Sequence, residues 1–194
     1  PLIYWAIKCG LSIKNINKVL VSSDSSKIIS LSKKYGADVP FVRPKNLSTD
    51  NSPEWKSWQH ALKYIHKNYD KKIKGLIIIP STAPLRKSID IKKAIKIFED
   101  NNSDVVISVR NAERNPYFNM VEYNNKKLVI SKKTKINIFR RQDAPEVFDM
   151  TTVVFILKPS FLIKKNNIFE GKMNFVKIPY HRSIDIDNNT DLFM

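Results

Sequence analysis

The sequence is poor in features that define several common classes of protein. Its one cysteine, Cys9, cannot form an internal disulfide, and no CxxC or Cys/His spacing marks a zinc site. Its apolar runs, such as residues 76–79 and 153–157, are far shorter than the roughly 20 residues that span a bilayer. With only four glycines in 194 residues, the chain is neither collagen-like nor low in complexity. We therefore expect a single folded domain over residues 1–194, located in a reducing cytoplasm and without a membrane span.

Acidic residues are also scarce, with 18 against 34 basic ones and a net charge of +16. Such an excess can attract nucleic acid. The basic residues are mostly lysines spread evenly along the chain, and no RNP-like aromatic signature, basic zipper or Cys/His finger accompanies them. We predict no nucleic-acid partner, and a solvated lysine surface or affinity for a small anionic ligand instead.

Short apolar segments alternate with amphipathic segments of helical period, which predicts an α/β fold: an open, mostly parallel, doubly wound sheet with helices on both faces. Helices are predicted over 2–11, 24–35 and 53–69, and from Ser88. Strands are predicted over 18–22, 38–42, 75–79, 105–109, 151–157, 175–178 and 183–187. Between residues 111 and 142 the pattern weakens into hairpin-like pieces, which we interpret as a small inserted β flap or a subunit contact.

Two acidic residues, Asp185 and Asp187, alternate with isoleucines in the last predicted strand. Strand periodicity would send both carboxylates to one face. Two convergent carboxylates suit Mg2+, which prefers a few oxygen ligands and keeps other positions for water and substrate phosphates. A solvent-exposed edge strand would produce the same alternation, so both interpretations stay open from the pattern alone.

The sequence contains only seven arginines, among them Arg43, Arg86 and the pair Arg140–Arg141. Where lysine supplies the general surface charge, an arginine more often marks a bidentate contact to a carboxylate or phosphate, although pairing with a neighbouring acid is the alternative. Arg86 ends a proline-stiffened loop that follows the strand at 75–79, and Thr82 lies within it. Open α/β sheets bind ligands at this end of a strand.

An ordered set of motifs resembles the CMP-acylneuraminate synthetase family, the cytidylyltransferases that activate sialic acid and related nonulosonic acids. The motifs are PLIYWAI (1–7), VSSDS (21–25), YGADVPFVRP (35–44), LSTD (47–50), TAPLR (82–86), RRQDAP (140–145) and SIDID (183–187). Their order and spacing agree with the family over essentially the whole chain. The resemblance implies a nucleotide-diphospho-sugar-transferase-like fold.

The resemblance also implies a reaction in which the anomeric hydroxyl of the sugar attacks the α-phosphate of CTP and releases pyrophosphate. Residues at matching positions take their roles from the family. Asp185 and Asp187 would bind Mg2+ and act in catalysis; Arg43, Asp50 and Ser52 would bind the nucleotide; and Thr82, Arg86, Arg141 and Gln142 would bind the sugar acid or support its pocket. The expected partners are CTP and an acidic nine-carbon sugar, and the expected assembly is a homodimer when the chain is full length. The resemblance further implies a role in making cell-surface glycans.

Three departures from the family pattern qualify this interpretation. The family's glycine- and lysine-containing phosphate loop and first strand precede the PLI helix and are absent here, so we expect an N-terminally truncated chain that is inactive by itself. Pro80 replaces a usual glutamine, and residues 151–155 replace the usual NGAIY, so the particular sugar (sialic, legionaminic or pseudaminic type) stays open. The alternatives are a 3-deoxy-octulosonate cytidylyltransferase, whose loop carries acidic residues where this one has Ser-Thr-Ala, and a non-catalytic sugar-nucleotide-binding domain.

Overall fold

Helices and strands alternate along the chain in the computed structural model, which describes residues 1–69 and 72–193. The helices are α1 (Leu2–Leu11), α2 (Ser26–Lys34), α3 (Glu54–Asn68), α4 (Ser88–Asp100), α5 (Pro159–Lys164) and α6 (Asn189–Phe193). The strands are β1 (Leu76–Ile78), β2 (Val105–Asn111), β3 (Val121–Asn124), β4 (Lys127–Ile130), β5 (Phe148–Leu157) and β6 (Met173–Lys177). Short 3-10 turns cover Lys45–Leu47, Arg141–Asp143, Ile168–Glu170 and Tyr180–Arg182.

The main sheet has the strand order β1-β5-β2-β6. β2 and β6 are parallel, whereas β5 is antiparallel to both β1 and β2. β1, β2 and β6 therefore run in one direction. β5 lies between β1 and β2 and runs in the opposite direction. The α/β prediction is confirmed, and the sheet is mixed for a simple reason. The chain between β2 and β5 returns to the edge where β2 ended, with Asn111 opposite Phe148, so β5 has to run back along β2.

Apolar side chains cover both faces of this sheet. One face packs against α4, with Ile91 and Ala94 meeting Val106 and Val153. The other face packs against α3 and α5 through residues of all three elements, namely Trp55, Leu62, Val105, Ile107, Phe161 and Leu162. Helices on both faces are what the doubly wound prediction requires.

The inserted flap is confirmed as a two-stranded antiparallel sheet of β3 and β4. Its turn is formed by Asn125 and Lys126, whose φ angles are 47° and 62°. Two consecutive residues with positive φ are typical of the tight turns that match the twist of a hairpin. Every residue of β3 is exposed, so the flap lies outside the main core.

Three predicted strands are not formed as expected. Residues 18–22 and 38–42 make a single parallel bridge between Leu20 and Asp38, supported by hydrogen bonds from Val21 N to Asp38 O and from Asp38 N to Val19 O, each 2.9 Å. Residues 183–187 form no strand in the described part of the chain. The last sheet hydrogen bond, from Ile178 N to Val109 O at 2.7 Å, is followed by Pro179, and the chain then leaves β2.

A cavity of about 1510 Å3 lies between β1 and the segment around Leu20. Its lining includes Ser81, in the loop after β1, and Arg43, which follows residues 38–42. No helix among the described residues is long and apolar enough to cross a membrane.

Candidate active site

The carboxyl ends of β1, β2 and β6 meet at one edge of the sheet, because these three strands point the same way. β1 leads into the loop of residues 79–87, and β6 leads into the turn Tyr180–Arg182. Ligands of open α/β sheets bind in the crevice outside such strand ends. Most residues that the sequence singled out lie on loops at this edge.

The acidic segment 183–187 crosses this edge and contacts the loop after β1. Ile186 N donates a hydrogen bond to Thr82 O at 2.8 Å. Asp185 Oδ1 is buried and has no hydrogen-bond partner among the described residues, whereas Asp187 is exposed. The two carboxylates thus belong to a connecting segment beside Thr82. The predicted strand over 183–187 is not formed, because the segment has no strand partner, and the shared face of the two carboxylates stays a prediction.

Arg86 is buried, with 6% of its surface exposed, and lies in the loop that follows β1. Its guanidinium donates to the carbonyl oxygens of Pro80 and, at 3.1 Å, Thr152. Burial lowers the pKa of Arg86 to about 10 because desolvation disfavours the charged form, while nearby Cys9, Asp185 and Asp90 act in the opposite direction. Arg86 therefore stays charged at neutral pH and joins the β1 loop to β5.

The three residues expected at the nucleotide lie in two different environments. Arg43 donates to the hydroxyl of Ser22 at 3.2 Å and to the Ser22 carbonyl, and it lines the cavity beside β1. Asp50 is exposed, and Ser52 N donates to the carbonyl of Thr49 at 2.9 Å in a local turn. Arg43 thus borders a concave surface, whereas Asp50 and Ser52 lie on the loop that leads into α3.

Arg141 and Gln142 lie in an exposed 3-10 turn near the end of β2. Arg141 donates to the carbonyl oxygens of Ala112 and Glu113, at 3.2 and 2.7 Å. This contact holds the turn against the chain leaving β2. Gln142 is exposed.

Two ion pairs at the edge were not predicted from the sequence. Asp90, in the first turn of α4, pairs with Arg182 through both carboxylate oxygens. Arg110 donates to Asp149 at 3.4 Å, and its guanidinium carbon lies 4.9 Å from the ring centre of Tyr180. The scarcity of arginine that singled out Arg86 applies equally to Arg110 and Arg182, and this signal could have identified both.

The donor set at the acidic segment fits Mg2+. The Oδ1 atom of Asp185 is buried without a hydrogen-bond partner in the described part of the chain, and Asp187, two residues later, has an exposed carboxylate. The described residues contain no group of three or more His, Cys, Asp or Glu side chains that could hold a metal. Two carboxylates nevertheless meet the usual requirement of Mg2+, which takes its remaining ligands from water and substrate phosphates.

Comparison with solved structures identifies the class of fold. The chain matches the structure of CMP:2-keto-3-deoxy-manno-octonic acid synthetase complexed with CTP, with a TM-score of 0.66 and 12% identity over 100% of this chain and 85% of the other. At this identity the likeness concerns the fold alone, which is that of a nucleotidyltransferase. Residues 1–187 also match the model of the cytidylyltransferase family. The chain belongs to that family of enzymes.

Two curated relatives cover nearly the whole chain. One is the post-translational flagellin modification protein B of Campylobacter coli, 30% identical over 98% of this chain and 80% of the relative. The other is the CMP-N,N'-diacetyllegionaminic acid synthase of Campylobacter jejuni subsp. jejuni serotype O:2, 33% identical over the same shares. The sequence-based assignment to the cytidylyltransferases is therefore confirmed.

Proposed function

We propose that this protein transfers the cytidylyl group of CTP to a nonulosonic acid and releases pyrophosphate. The observation that carries the proposal is the hydrogen bond from Ile186 N to Thr82 O, which brings the two acidic residues of segment 183–187 to the loop at the carboxyl edge of β1. The relative named as a CMP-N,N'-diacetyllegionaminic acid synthase supports a sugar acid of the legionaminic type. Sialic and pseudaminic acids, which are also nonulosonic acids, are the other candidate substrates.

In the proposed reaction the anomeric hydroxyl oxygen of the sugar attacks the α-phosphorus of CTP. A new oxygen–phosphorus bond forms, the bond to the bridging oxygen of the β-phosphate breaks, and pyrophosphate leaves with that oxygen. The hydroxyl proton passes to solvent. Catalysis of this kind depends mainly on positioning and on neutralising the charge of the phosphates.

We assign residues to this reaction by their positions. Asp185 and Asp187 would hold Mg2+, which when bound neutralises phosphate charge and orients the leaving group. Arg43, beside the cavity, would face the nucleotide together with Asp50 and Ser52. A second set would contact the sugar acid or support its pocket: Thr82, Arg86, Arg141 and Gln142. Because Arg86 is buried against two carbonyl oxygens, we propose that it supports the pocket wall.

The flap supplies a surface for the proposed homodimer. Five large apolar side chains in and after the hairpin are exposed: Val121, Tyr123, Leu128, Ile136 and Phe139. An exposed apolar surface of this kind is typical of a protein–protein contact. A second copy of the chain is the partner that the family resemblance favours. We further propose that the enzyme works in the cytoplasm and supplies a CMP-sugar for glycans of the cell surface.

The experiment is a direct assay of the full-length protein with CTP, Mg2+ and a panel of acidic sugars. The panel contains N,N'-diacetyllegionaminic acid, pseudaminic acid, N-acetylneuraminic acid and 3-deoxy-octulosonate, and pyrophosphate release and the mass of the CMP-sugar are measured. We expect product with a nine-carbon acid and little with the octulosonate. Product with the octulosonate alone would favour the related cytidylyltransferase. CTP binding without product from any sugar would favour a non-catalytic domain.

A further inference from the structure

The segment that carries Asp185 and Asp187 is fastened at both ends to the same stretch of chain, residues 80–90. At its far end, Ile186 N bonds to Thr82 O at 2.8 Å. At its near end, Arg182 pairs with Asp90 of α4. Asp185 therefore lies between two fixed points, Arg182 and Ile186, and Asp187 follows directly after the second.

The near fixed point is a buried, bidentate ion pair. Arg182 Nε lies 3.0 Å from Asp90 Oδ2, and a terminal nitrogen of the same guanidinium lies 2.9 Å from Oδ1. Asp90 is 2% exposed, and the Arg182 side chain is 16% exposed. Two parallel charge-assisted hydrogen bonds define both a distance and an orientation, which a single contact does not.

Asp90 also ties the pair to the start of α4. Its Oδ2 accepts a hydrogen bond from Lys87 N at 3.0 Å, which completes the capping of the helix. One carboxylate thus links the helix that follows the β1 loop to the turn that precedes the acidic segment. Hydrogen bonds from Ser183 N and Oγ to Tyr180 O, both 3.0 Å, make that turn rigid up to two residues before Asp185.

We propose that Asp90 and Arg182 are positioning residues that hold Asp185 and Asp187 in place for Mg2+. This inference rests on the proposed function, because it assigns the acidic segment to the metal. Neither residue touches the reacting groups. Their role is to limit the positions of the segment before metal and substrate arrive, as residues behind metal ligands do in other metalloproteins.

Two variants separate this role from a general contribution to folding. Asp90→Asn keeps the size of the side chain and an oxygen that can cap α4, but it removes the charge. Arg182→Lys keeps the charge but removes the bidentate fork. The matched control is Asp100→Asn at the other end of α4, which breaks the exposed pair with Lys96.

The first measurement is amide hydrogen exchange of the metal-free protein. We expect Ile186 N–H to exchange about tenfold faster or more in Asp90→Asn and Arg182→Lys, with the interior of α4 and the Asp100→Asn control unchanged. Unchanged protection of Ile186 in both variants would overturn the proposal. Equal loss of protection throughout α4 would overturn it as well, because the pair would then stabilise the helix in general. If Asp90→Asn fails to fold, Arg182→Lys decides the question.

The second measurement is the Mg2+ dependence of CMP-sugar formation. We expect the Mg2+ concentration for half-maximal rate to rise about 10- to 100-fold in Arg182→Lys, with a much smaller change in the KM for CTP at saturating Mg2+. An unchanged Mg2+ requirement in an active Arg182→Lys protein would overturn the positioning role and leave the proposed function standing. An unaltered full-length protein that makes no CMP-sugar would overturn the proposed function, while the hydrogen exchange of Ile186 would still test the positioning role.

Discussion

The amide of Ile186 donates its hydrogen bond to the carbonyl of Thr82 at 2.8 Å, and so joins two loops that are far apart in the chain. One loop follows the first strand of the main sheet, and the other follows the last. The proposed metal ligands Asp185 and Asp187 owe their place at the carboxyl edge to this contact and to the Asp90–Arg182 pair.

In the full-length protein we expect Asp187→Ala to lower turnover on the order of 1,000-fold or more, because the lost charge acts chiefly on the transition state. Asp187 is exposed, so the variant should unfold at the same temperature as the parent protein. The measurements are steady-state kinetics and a thermal melt. Asp100→Asn, an exposed carboxylate on α4, is the control for surface charge. A fully active Asp187→Ala protein would contradict the metal assignment.

Arg86→Ala should destabilise the fold by about 2–4 kcal/mol, because the carbonyl oxygens of Pro80 and Thr152 would lose their buried donor. Urea unfolding measures the change. Arg114→Ala removes an exposed arginine and should change stability by less than about 0.5 kcal/mol. Equal effects of the two substitutions would show that the buried contacts of Arg86 contribute little to the free energy of unfolding.

Gly171→Ala tests a close approach between the chain just before β6 and the side chains of Phe161 and Asp104. A β-carbon at this position would lie 2.5 Å from Phe161 Cε2 and 2.9 Å from Asp104 Cβ. Such overlap forces a shift of packed atoms, and we expect a loss of about 1–3 kcal/mol of stability in urea unfolding. Gly10→Ala is the milder comparison, because its nearest contact is a methyl group of Val19 at 3.1 Å. A larger loss at Gly10 would contradict the predicted order.

Cys9 should react slowly with iodoacetamide in the folded protein. Burial raises the pKa of its thiol by disfavouring the thiolate, and this effect exceeds the opposing charge of Arg86. The folded protein therefore holds less thiolate than the unfolded chain at every pH around the usual thiol pKa. The midpoint of the pH profile of alkylation should lie higher in buffer than in urea. A lower midpoint in buffer would mean that Arg86 dominates the environment of Cys9.

The flap prediction concerns assembly. Replacing Leu128 and Phe139, which are 70% and 82% exposed, by aspartate should convert two-chain particles into single chains, because charge opposes an apolar contact. Sedimentation measures the mass of the particle. Phe169→Asp changes an aromatic residue outside the flap that is 66% exposed, and it should leave the assembly unchanged. Single chains in the unaltered protein would contradict the dimer.

Local patterns in the sequence were enough to locate most of the fold. The predicted ends of α1 and α3 agree with the structure within about two residues, because side-chain periodicity and turn residues act over only a few positions. The sequence predicts that α2 begins at Asp24, whereas the helix begins at Ser26. Ser25 Oγ accepts a hydrogen bond from Ile28 N at 3.4 Å and caps the helix. The family motifs, which are also local strings of residues, were sufficient for the cytidylyltransferase assignment.

Contacts between distant parts of the chain decided the rest. The alternation at residues 183–187 looks like a strand, but a strand needs a neighbour, and after Pro179 the chain turns away from β2 toward Thr82. Arginine at position 86 is compatible with either substrate binding or support, and its hydrogen bonds to the carbonyl oxygens of Pro80 and Thr152 favour the supporting role that we propose. Nothing in the sequence around Asp90 or around Arg182 indicates that these two residues form an ion pair. Such pairs depend on how the helices and loops pack together, so they become visible only when the whole chain has folded.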